Sequence, residues 1–174
     1  MKIEEAKMSD AIESPVIQLL QQHAISFDLI EIPLREDKKP IRSLEELLSS
    51  KGVDSNAVVR SVVFRGESGQ FVLLAVAGGG RADWGILRKH LNERKLRMAE
   101  YDEVPEATGY VVGAVPPIAL PKKLRVLVDK SVHNYEMVVM GSGIFGYAIS
   151  LKGKDLLALL VDADKGEFVK LEAA

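Results

Sequence analysis

The chain has 174 residues, of which 47% are hydrophobic and 28% charged, with a net charge of −2 and no cysteine. This composition predicts one globular domain and excludes collagen-like, low-complexity and disulfide-framed classes. The slight negative charge argues against a general nucleic-acid coating protein, and the absence of cysteine removes thiol nucleophiles and thiolate zinc sites. The three histidines are scattered without ligand spacing, so we expect neither a metal nor a cofactor.

The N-terminal stretch is charged and lacks the apolar core of a signal peptide, and no apolar run reaches the length of a membrane span. We therefore expect a cytoplasmic protein without membrane contact. Residues 1–14 are predicted to form a polar extension and residues 15–174 one domain. Ser14 followed by Pro15 is typical of a helix start, with a capping hydroxyl before a proline at the first helical position.

Periodicity and turn residues divide the rest of the chain into helices and strands. The predicted helices cover residues 15 to about 23, 44 to about 51, 84–91, 101–107 and 155–161. The predicted strands cover residues 26–32, 58–64, 71–77, 124–128, 135–140, 147–151 and 167–171. Residues 162–166 are interpreted as a turn. Strands that arrive both in hairpins and between helices indicate an α+β domain, a mixed β-sheet covered by helices.

A run of cations begins on the third predicted helix and continues past its end. It consists of Arg88, Lys89, Arg94, Lys95 and Arg97. Most such runs are solvated faces, but in a slightly acidic chain this one is the best candidate for contacts with nucleic-acid phosphates. Lys122, Lys123 and Arg125 form a weaker candidate.

The stretch from Thr108 to Pro121 combines two glycines and three prolines with apolar β-forming residues. It predicts a short strand that enters a rigid loop whose backbone N–H groups are open to a ligand. Gly113 and Pro117 give a Gly-x-x-x-Pro spacing. Taken alone, that spacing is more often an ordinary turn than a site.

In context, four segments taken in order resemble the YbaK/prolyl-tRNA-synthetase-associated editing domain family. They are residues 57–64, 108–117, 126–129 and 138–143. The resemblance extends from about Pro15 to Val161. It implies a curved mixed β-sheet surrounded by helices and an activity that deacylates mischarged aminoacyl-tRNA. The implied partner is the aminoacylated acceptor end of a tRNA, with an aminoacyl-tRNA synthetase as an optional second partner.

The resemblance also implies site residues. Arg60 stands where the resemblance implies a lysine. Its guanidinium can bind a phosphate or carbonyl but cannot act as a general base. The competing interpretation of Arg60 is a surface charge on an edge strand. Gly113 and the N–H groups around Ala114 and Val115 are expected to bind the ester carbonyl and stabilise the oxyanion. Pro117 is expected to stiffen the loop.

Three further residues are candidates for substrate contacts. Asp129 either caps the next helix or holds the α-amino group of the substrate. Gly141 and Gly143 either let the terminal adenosine approach the backbone or form a hairpin turn.

Two functions remain open at this point. One is a freestanding trans-editing hydrolase for a small amino acid, such as alanine or cysteine, on a proline tRNA. The other is a non-catalytic module on the same fold that recognises an aminoacyl-tRNA end, a nucleotide or a protein partner. Retention of the loop at 113–117 favours the hydrolase, and Arg60 favours the binding module.

Overall fold

The computed structural model describes residues 12–37, 39 and 43–170 of the chain. Within them the α-helices are Pro15–Gln22 (α1), Leu44–Ser50 (α2), Trp84–Leu91 (α3), Glu103–Thr108 (α4) and Gly153–Leu159 (α5). The strands are Phe27–Glu31 (β1), Arg60–Gly66 (β2), Phe71–Val76 (β3), Arg81–Ala82 (β4), Leu96–Met98 (β5), Arg125–Asp129 (β6), Met137–Gly141 (β7), Tyr147–Lys152 (β8), Asp164–Gly166 (β9) and Val169–Lys170 (β10). Short 3-10 helices cover Ser55–Ala57 and Lys130–Asn134.

The central sheet has the strand order β5-β2-β3-β6-β9. Its β2 and β3 form the predicted antiparallel hairpin, whereas β3, β6 and β9 pair in parallel. A second, antiparallel sheet has the order β1-β8-β7, and β10 pairs with β4. The central sheet is therefore mixed and accompanied by helices, which confirms the predicted α+β class.

The two larger sheets meet just before β2. Val58 forms a parallel bridge with Val139 of β7, and the Val59 N–H donates to the Val139 carbonyl at 2.7 Å. On its outer side β2 pairs with β5 only from Phe64 to Gly66. Among the described residues, no strand covers the outer edge of β2 from Arg60 to Val62, so the gap between the sheets opens at this edge.

Different apolar clusters cover the two faces of the central sheet. On one face, Phe64 and Leu74 are fully buried and pack with Leu87 of α3. On the other face, Val63 and Leu73 pack with α4 and with Val115 of the following loop. Because side chains alternate along a strand, Ser61 shares the face of Val63, and Arg60 shares the face of Val62 and Phe64.

The predicted helix starts are confirmed by their capping hydrogen bonds. Ser14 Oγ accepts from the Ile17 N–H at 3.2 Å, Ser43 Oγ accepts from the Glu46 N–H at 3.1 Å, and Asp83 Oδ1 accepts from the Ile86 N–H at 3.2 Å. Ser14 Oγ also donates to the Ser142 carbonyl at 2.7 Å, which ties the start of α1 to the end of β7. Most of the predicted N-terminal extension, residues 1–11, lies outside the described residues.

Two predictions of local structure are wrong, one near the C-terminus and one at the start of the stretch from Thr108 to Pro121. Residues 164–166 form β9 rather than part of a turn, because they pair with β6 and Arg125 holds the Asp164 carboxylate at 2.8 Å. No strand forms at residues 108–112, since Gly109 takes φ +84° and ends α4. The predicted strand at 167–171 is limited to Val169–Lys170, and residue 171 lies outside the described residues.

The strand β5 was not predicted, because its three residues lie inside the run of cations. None of the described helices is long and apolar enough to cross a membrane.

Candidate functional site

A cavity of about 540 Å³ lies between the free edge of β2, the second sheet and the loop at residues 112–115. Its walls are mostly aliphatic, and its size suits a small molecule or the end of a chain. Arg60, Gly113, Val115 and Gly141 line it. The structure thus brings together four of the residues that the sequence predicts for the site.

Arg60 lies at the rim of this cavity. It is exposed, and its Nη2 lies 3.9 Å from the position that a Cβ on Gly79 would take, in the turn after β3. No carboxylate among the described residues pairs with the guanidinium. Arg60 is therefore available to an anionic group at the rim, on the sheet face opposite to Ser61.

Two residues of the loop that line the cavity, Gly113 and Val115, have backbone N–H groups without an acceptor among the described residues. The Ala114 N–H donates to the Val111 carbonyl at 3.1 Å and closes a turn in which Gly113 takes φ +93°. Among the described residues, no acceptor pairs with the N–H of Gly113 or of Val115. The expectation of three backbone donors is therefore corrected to two, because Ala114 is fully buried and its N–H serves the turn.

The side-chain positions of the two later glycines are occupied by other parts of the protein. A Cβ on Gly141 would lie 2.3 Å from the Val115 carbonyl oxygen, so this glycine is needed for the close approach of β7 to the loop. A Cβ on Gly143 would lie 2.9 Å from the ring of Tyr110, and Gly143 does not line the cavity. Gly141 pairs with Ala148 at the end of β7, and Gly143 lies in the hairpin turn that follows, so the adenosine contact stays a prediction.

Asp129 is a cap rather than a ligand. It is 3% exposed, its Oδ2 accepts from the Ser131 N–H at 2.9 Å, and its Oδ1 accepts from the Phe168 N–H at 2.7 Å. Both carboxylate oxygens are thus engaged by backbone, outside the cavity. Pro117 is also buried outside it, on the side of the loop that faces Leu160.

Ser61 is the site residue that sequence reasoning missed. It lines the cavity, and its buried Oγ has no hydrogen-bond partner among the described residues. Leaving a buried hydroxyl unpaired costs about 1–3 kcal/mol, so an unpaired one at a cavity indicates a place for a ligand group. The available signal was a polar residue at an inward position of an apolar strand, directly after Arg60.

Four of the five predicted phosphate-contacting cations line a second depression, of about 520 Å³. We call it the basic groove; the cations lining it are Arg65, Arg88, Arg94, Lys95 and Arg97. Lys89 does not line it, and one acidic residue, Glu67, does.

Arg97 is not a free cation within this groove. Its Nη1 donates to Glu103 Oε1 at 2.6 Å, and Arg65 Nη1 donates to Glu103 Oε2 at 2.5 Å. The hydrogen bond with Glu103 raises the pKa of Arg97. The same bond, together with those from the Glu100 N–H and Arg65, holds the pKa of Glu103 well below its usual range. Arg88, Arg94 and Lys95 have no ion pair among the described residues.

Comparison with known proteins identifies the family of this chain. Residues 38–159 match the family model described as an aminoacyl-tRNA editing domain. A proline–tRNA ligase of Pseudothermotoga lettingae is 32% identical over 113 residues, which make up 64% of this chain and 19% of the ligase. A candidate Cys-tRNA(Pro)/Cys-tRNA(Cys) deacylase of Enterococcus faecalis, EbsC, is 22% identical over 166 residues, 95% of this chain and 97% of EbsC.

A crystal structure of a candidate trans-editing enzyme for prolyl tRNA synthetase superposes with a TM-score of 0.72 at 26% identity. The match covers 92% of this chain and 99% of that one. The chain thus spans only 19% of the length of the ligase but nearly all of the EbsC and trans-editing chains. The family model covers well over half of the chain and agrees with the resemblance seen in the sequence. The chain belongs to the aminoacyl-tRNA editing domain family.

Proposed function

We propose that this protein deacylates mischarged aminoacyl-tRNA and acts in trans. The observation that carries the proposal is the convergence, at one small apolar cavity, of unpaired donors from Gly113, Val115 and Ser61. Relatives of matching length that are named as a deacylase and as a trans-editing enzyme support it.

The acyl group of the substrate is that of an amino acid with a small side chain, such as alanine or cysteine, and the tRNA is a proline tRNA. Aliphatic side chains such as Val59, Val63 and Met140 line the cavity and favour a small apolar group. The choice of tRNA draws on the names of the relatives, which include a proline–tRNA ligase and a Cys-tRNA(Pro) deacylase.

Glu45 is the partner we assign to the α-ammonium group, in place of Asp129. Among the described residues that line the cavity, Glu45 is the carboxylate and Arg60 the cation. Glu45 lies in the first turn of α2 and is exposed at the cavity rim. A charge-assisted hydrogen bond from an ammonium group to this carboxylate orients the ester and discriminates against substrates whose amino group is blocked.

The chemistry follows from positioning. Water attacks the ester carbonyl, and the negative charge that develops on the carbonyl oxygen is stabilised by the N–H groups of Gly113 and Val115. The Ser61 hydroxyl accepts a hydrogen bond from that water or donates one to the carbonyl. The tetrahedral intermediate collapses as a proton passes from the attacking water to the ribose oxygen, which releases the free amino acid and the ribose hydroxyl of the tRNA.

Ser61 is not assigned as a nucleophile. Activation of a serine requires an adjacent base, and no histidine or lysine of the described chain lines the cavity. No covalent intermediate is therefore part of the mechanism, and the modest catalysis that positioned donors provide suffices for an activated ester.

Arg60 and the basic groove hold the tRNA backbone. Since Arg60 leaves β2 on the face opposite to Ser61, it clamps a phosphate at the rim and does not polarise the ester. Met98, at one end of β5, lines the cavity, whereas Leu96 and Arg97 line the groove. The strand of three residues between the two is about 10 Å long, so an acceptor end can reach from one to the other.

The direct test is release of amino acid from a panel of mischarged and correctly charged tRNAs, each also prepared with an N-acetylated amino group. We expect the protein to deacylate a proline tRNA that carries a small amino acid, to spare Pro-tRNA(Pro), and to act poorly on the N-acetylated forms. Glu45→Gln is expected to lose the preference for the free amino group.

The competing function is a non-catalytic binding module, which Arg60 favours because the resemblance implies a lysine at its position. It predicts that the parent binds the charged tRNA and deacylates none of the panel. Equilibrium binding measured on the same tRNAs separates the two functions.

A further inference from the structure

We infer that Tyr101, with Met98 and Val112, forms a platform at the cavity mouth on which the nucleobase of the terminal nucleoside stacks. The inference rests on the proposed function, because it takes the ester substrate as given. It replaces the adenosine contact that the sequence suggested for Gly141 and Gly143.

The platform is an exposed apolar surface around one opening. Tyr101 is 77% exposed, Met98 52% and Val112 37%, and all three line the cavity. Single exposed apolar side chains are ordinary on protein surfaces, but several around one cavity mouth mark a contact surface. A ligand that covers this apolar surface removes it from water, which is favourable.

The chemistry of the ester identifies what covers them. An aminoacyl ester that places its acyl group against Ser61 and the loop donors leaves the attached nucleoside at the mouth. The aliphatic interior accommodates the acyl group, and the cations of the basic groove lie beyond β5, where the phosphates continue. The ribose joins these two regions, and the flat base that branches from it is the part of the nucleoside left to cover the mouth.

The side chains suit this role. Every nucleobase has a π-face, and stacking on an aromatic ring contributes about 1–3 kcal/mol per base without requiring a particular sequence. Tyrosine offers a rigid ring with few rotatable bonds, and the thioether of Met98 is polarisable and adapts to an aromatic surface.

The segment that carries Tyr101 is held in place before any ligand binds. The Ala99 N–H donates to the Val63 carbonyl at 2.9 Å, which extends the β5 side of the sheet past Met98. The Glu100 N–H donates to Glu103 Oε1 at 2.8 Å, and that carboxylate is fixed by two arginines. Tyr101 therefore sits between two anchored points, so little ordering is needed when a base stacks on it.

The test compares two small substrates that share an acyl group, the alanyl ester of adenosine and alanine ethyl ester. We expect Tyr101→Ala to lower kcat/KM about tenfold for the adenosine ester and to leave the ethyl ester unchanged, since only the former has a base. Tyr101→Phe keeps the ring and is expected to match the parent. Val161→Ala is the control, because Val161 is 71% exposed and does not line the cavity.

Calorimetric binding of the non-hydrolysable amide analogue of alanyl-adenosine separates this inference from the proposed function. If the parent hydrolyses no ester but binds the analogue about tenfold more tightly than Tyr101→Ala does, the function fails and the platform stands. Equal affinity of the two proteins for the analogue overturns the platform, as does a loss of activity that is equal on both esters. A parent that neither binds the analogue nor hydrolyses the adenosine ester overturns it as well.

Discussion

Arg97 and Glu103 form a two-pronged ion pair, with 2.6 Å between Nη1 and Oε1 and 3.0 Å between Nη2 and Oε2. The pair joins β5 to the start of α4, and Arg65 of β2 contacts the same carboxylate. A cation that the sequence assigned to tRNA contact is thus used to hold together the segment that borders the cavity. This arrangement affects stability as well as the charge of the basic groove.

The Glu103 network makes stability depend on pH. Its folded-state pKa lies well below the ordinary value of 4.5, so its stabilising contribution is complete above that value and is lost as the pH falls towards the folded-state pKa. We expect Glu103→Gln to lower the urea midpoint at neutral pH, and we expect its difference from the parent to shrink progressively as the pH falls below 4.5. Glu67→Gln, at an exposed carboxylate without an ion pair among the described residues, is the control and is expected to match the parent throughout. A difference between Glu103→Gln and the parent that is constant with pH would contradict the assignment.

Ser61→Ala separates function from stability. Removal of an unpaired buried hydroxyl is expected to leave the free energy of unfolding unchanged or to raise it by about 1 kcal/mol. Deacylation is expected to fall about tenfold or more, because the variant lacks a positioned hydrogen-bond group. Ser61→Thr retains the hydroxyl and is expected to keep most of the activity. Unfolding in urea and single-turnover deacylation are the two measurements, and full activity of Ser61→Ala would remove this hydroxyl from the mechanism.

Gly113 has a matched control in Gly109. Both have left-handed backbone, with φ +93° and +84°, but a Cβ on Gly113 would lie 3.2 Å from the Phe145 ring, whereas one on Gly109 meets nothing within 4 Å. We expect each alanine variant to lose about 1–2 kcal/mol of stability through backbone strain. Of the two alanine variants, only Gly113→Ala is expected to lower the deacylation rate, because it displaces the turn that carries the donors. Gly113→Val is expected to lower the rate more than Gly113→Ala does. Similar rates for the two alanine variants would remove this turn from the site.

Substitutions of Arg60 test whether a fixed positive charge at the cavity rim is enough to hold the tRNA. Arg60→Lys is expected to keep substantial activity, and Arg60→Ala to raise KM for charged tRNA about tenfold, because alanine cannot make the charge-assisted hydrogen bond to phosphate. Steady-state kinetics on charged tRNA measure kcat and KM of each variant. An Arg60→Ala variant as active as the parent would place the side chain outside the site, and an inactive parent with an active Arg60→Lys variant would favour the binding module.

The basic groove is expected to set the salt dependence of tRNA binding. Neutralising Arg94 and Lys95 together should weaken binding and reduce the slope of log affinity against log salt by about one for each phosphate that the protein no longer neutralises. Lys89→Ala is the control, because Lys89 does not line the groove. Filter binding at several salt concentrations gives the slopes. If the double variant keeps the parent's slope, the phosphates lie elsewhere.

Local signals in the sequence predicted much of the fold. The caps at Ser14, Ser43 and Asp83 and the hairpin between β2 and β3 depend on residues a few positions apart, so the chain encodes them locally. The loop around Gly113 was identified in the same way, although the strand expected at its start is absent. The short strands β5 and β9 were missed because each has three residues, too few to establish a periodicity, and only pairing with distant strands makes them extended.

The composition of the site was decided by tertiary structure. The sequence by itself determined which residues could donate, cap or carry charge, because those properties belong to single side chains and short loops. It did not determine that the Asp129 carboxylate accepts hydrogen bonds from the N–H groups of Ser131 and Phe168, or that Arg97 forms an ion pair with Glu103. It also could not show that Ser61 is left without a partner among the described residues. Whether a polar group is paired or free depends on neighbours that lie far away in the chain, and only the packing of the two sheets and the loop brings those neighbours together.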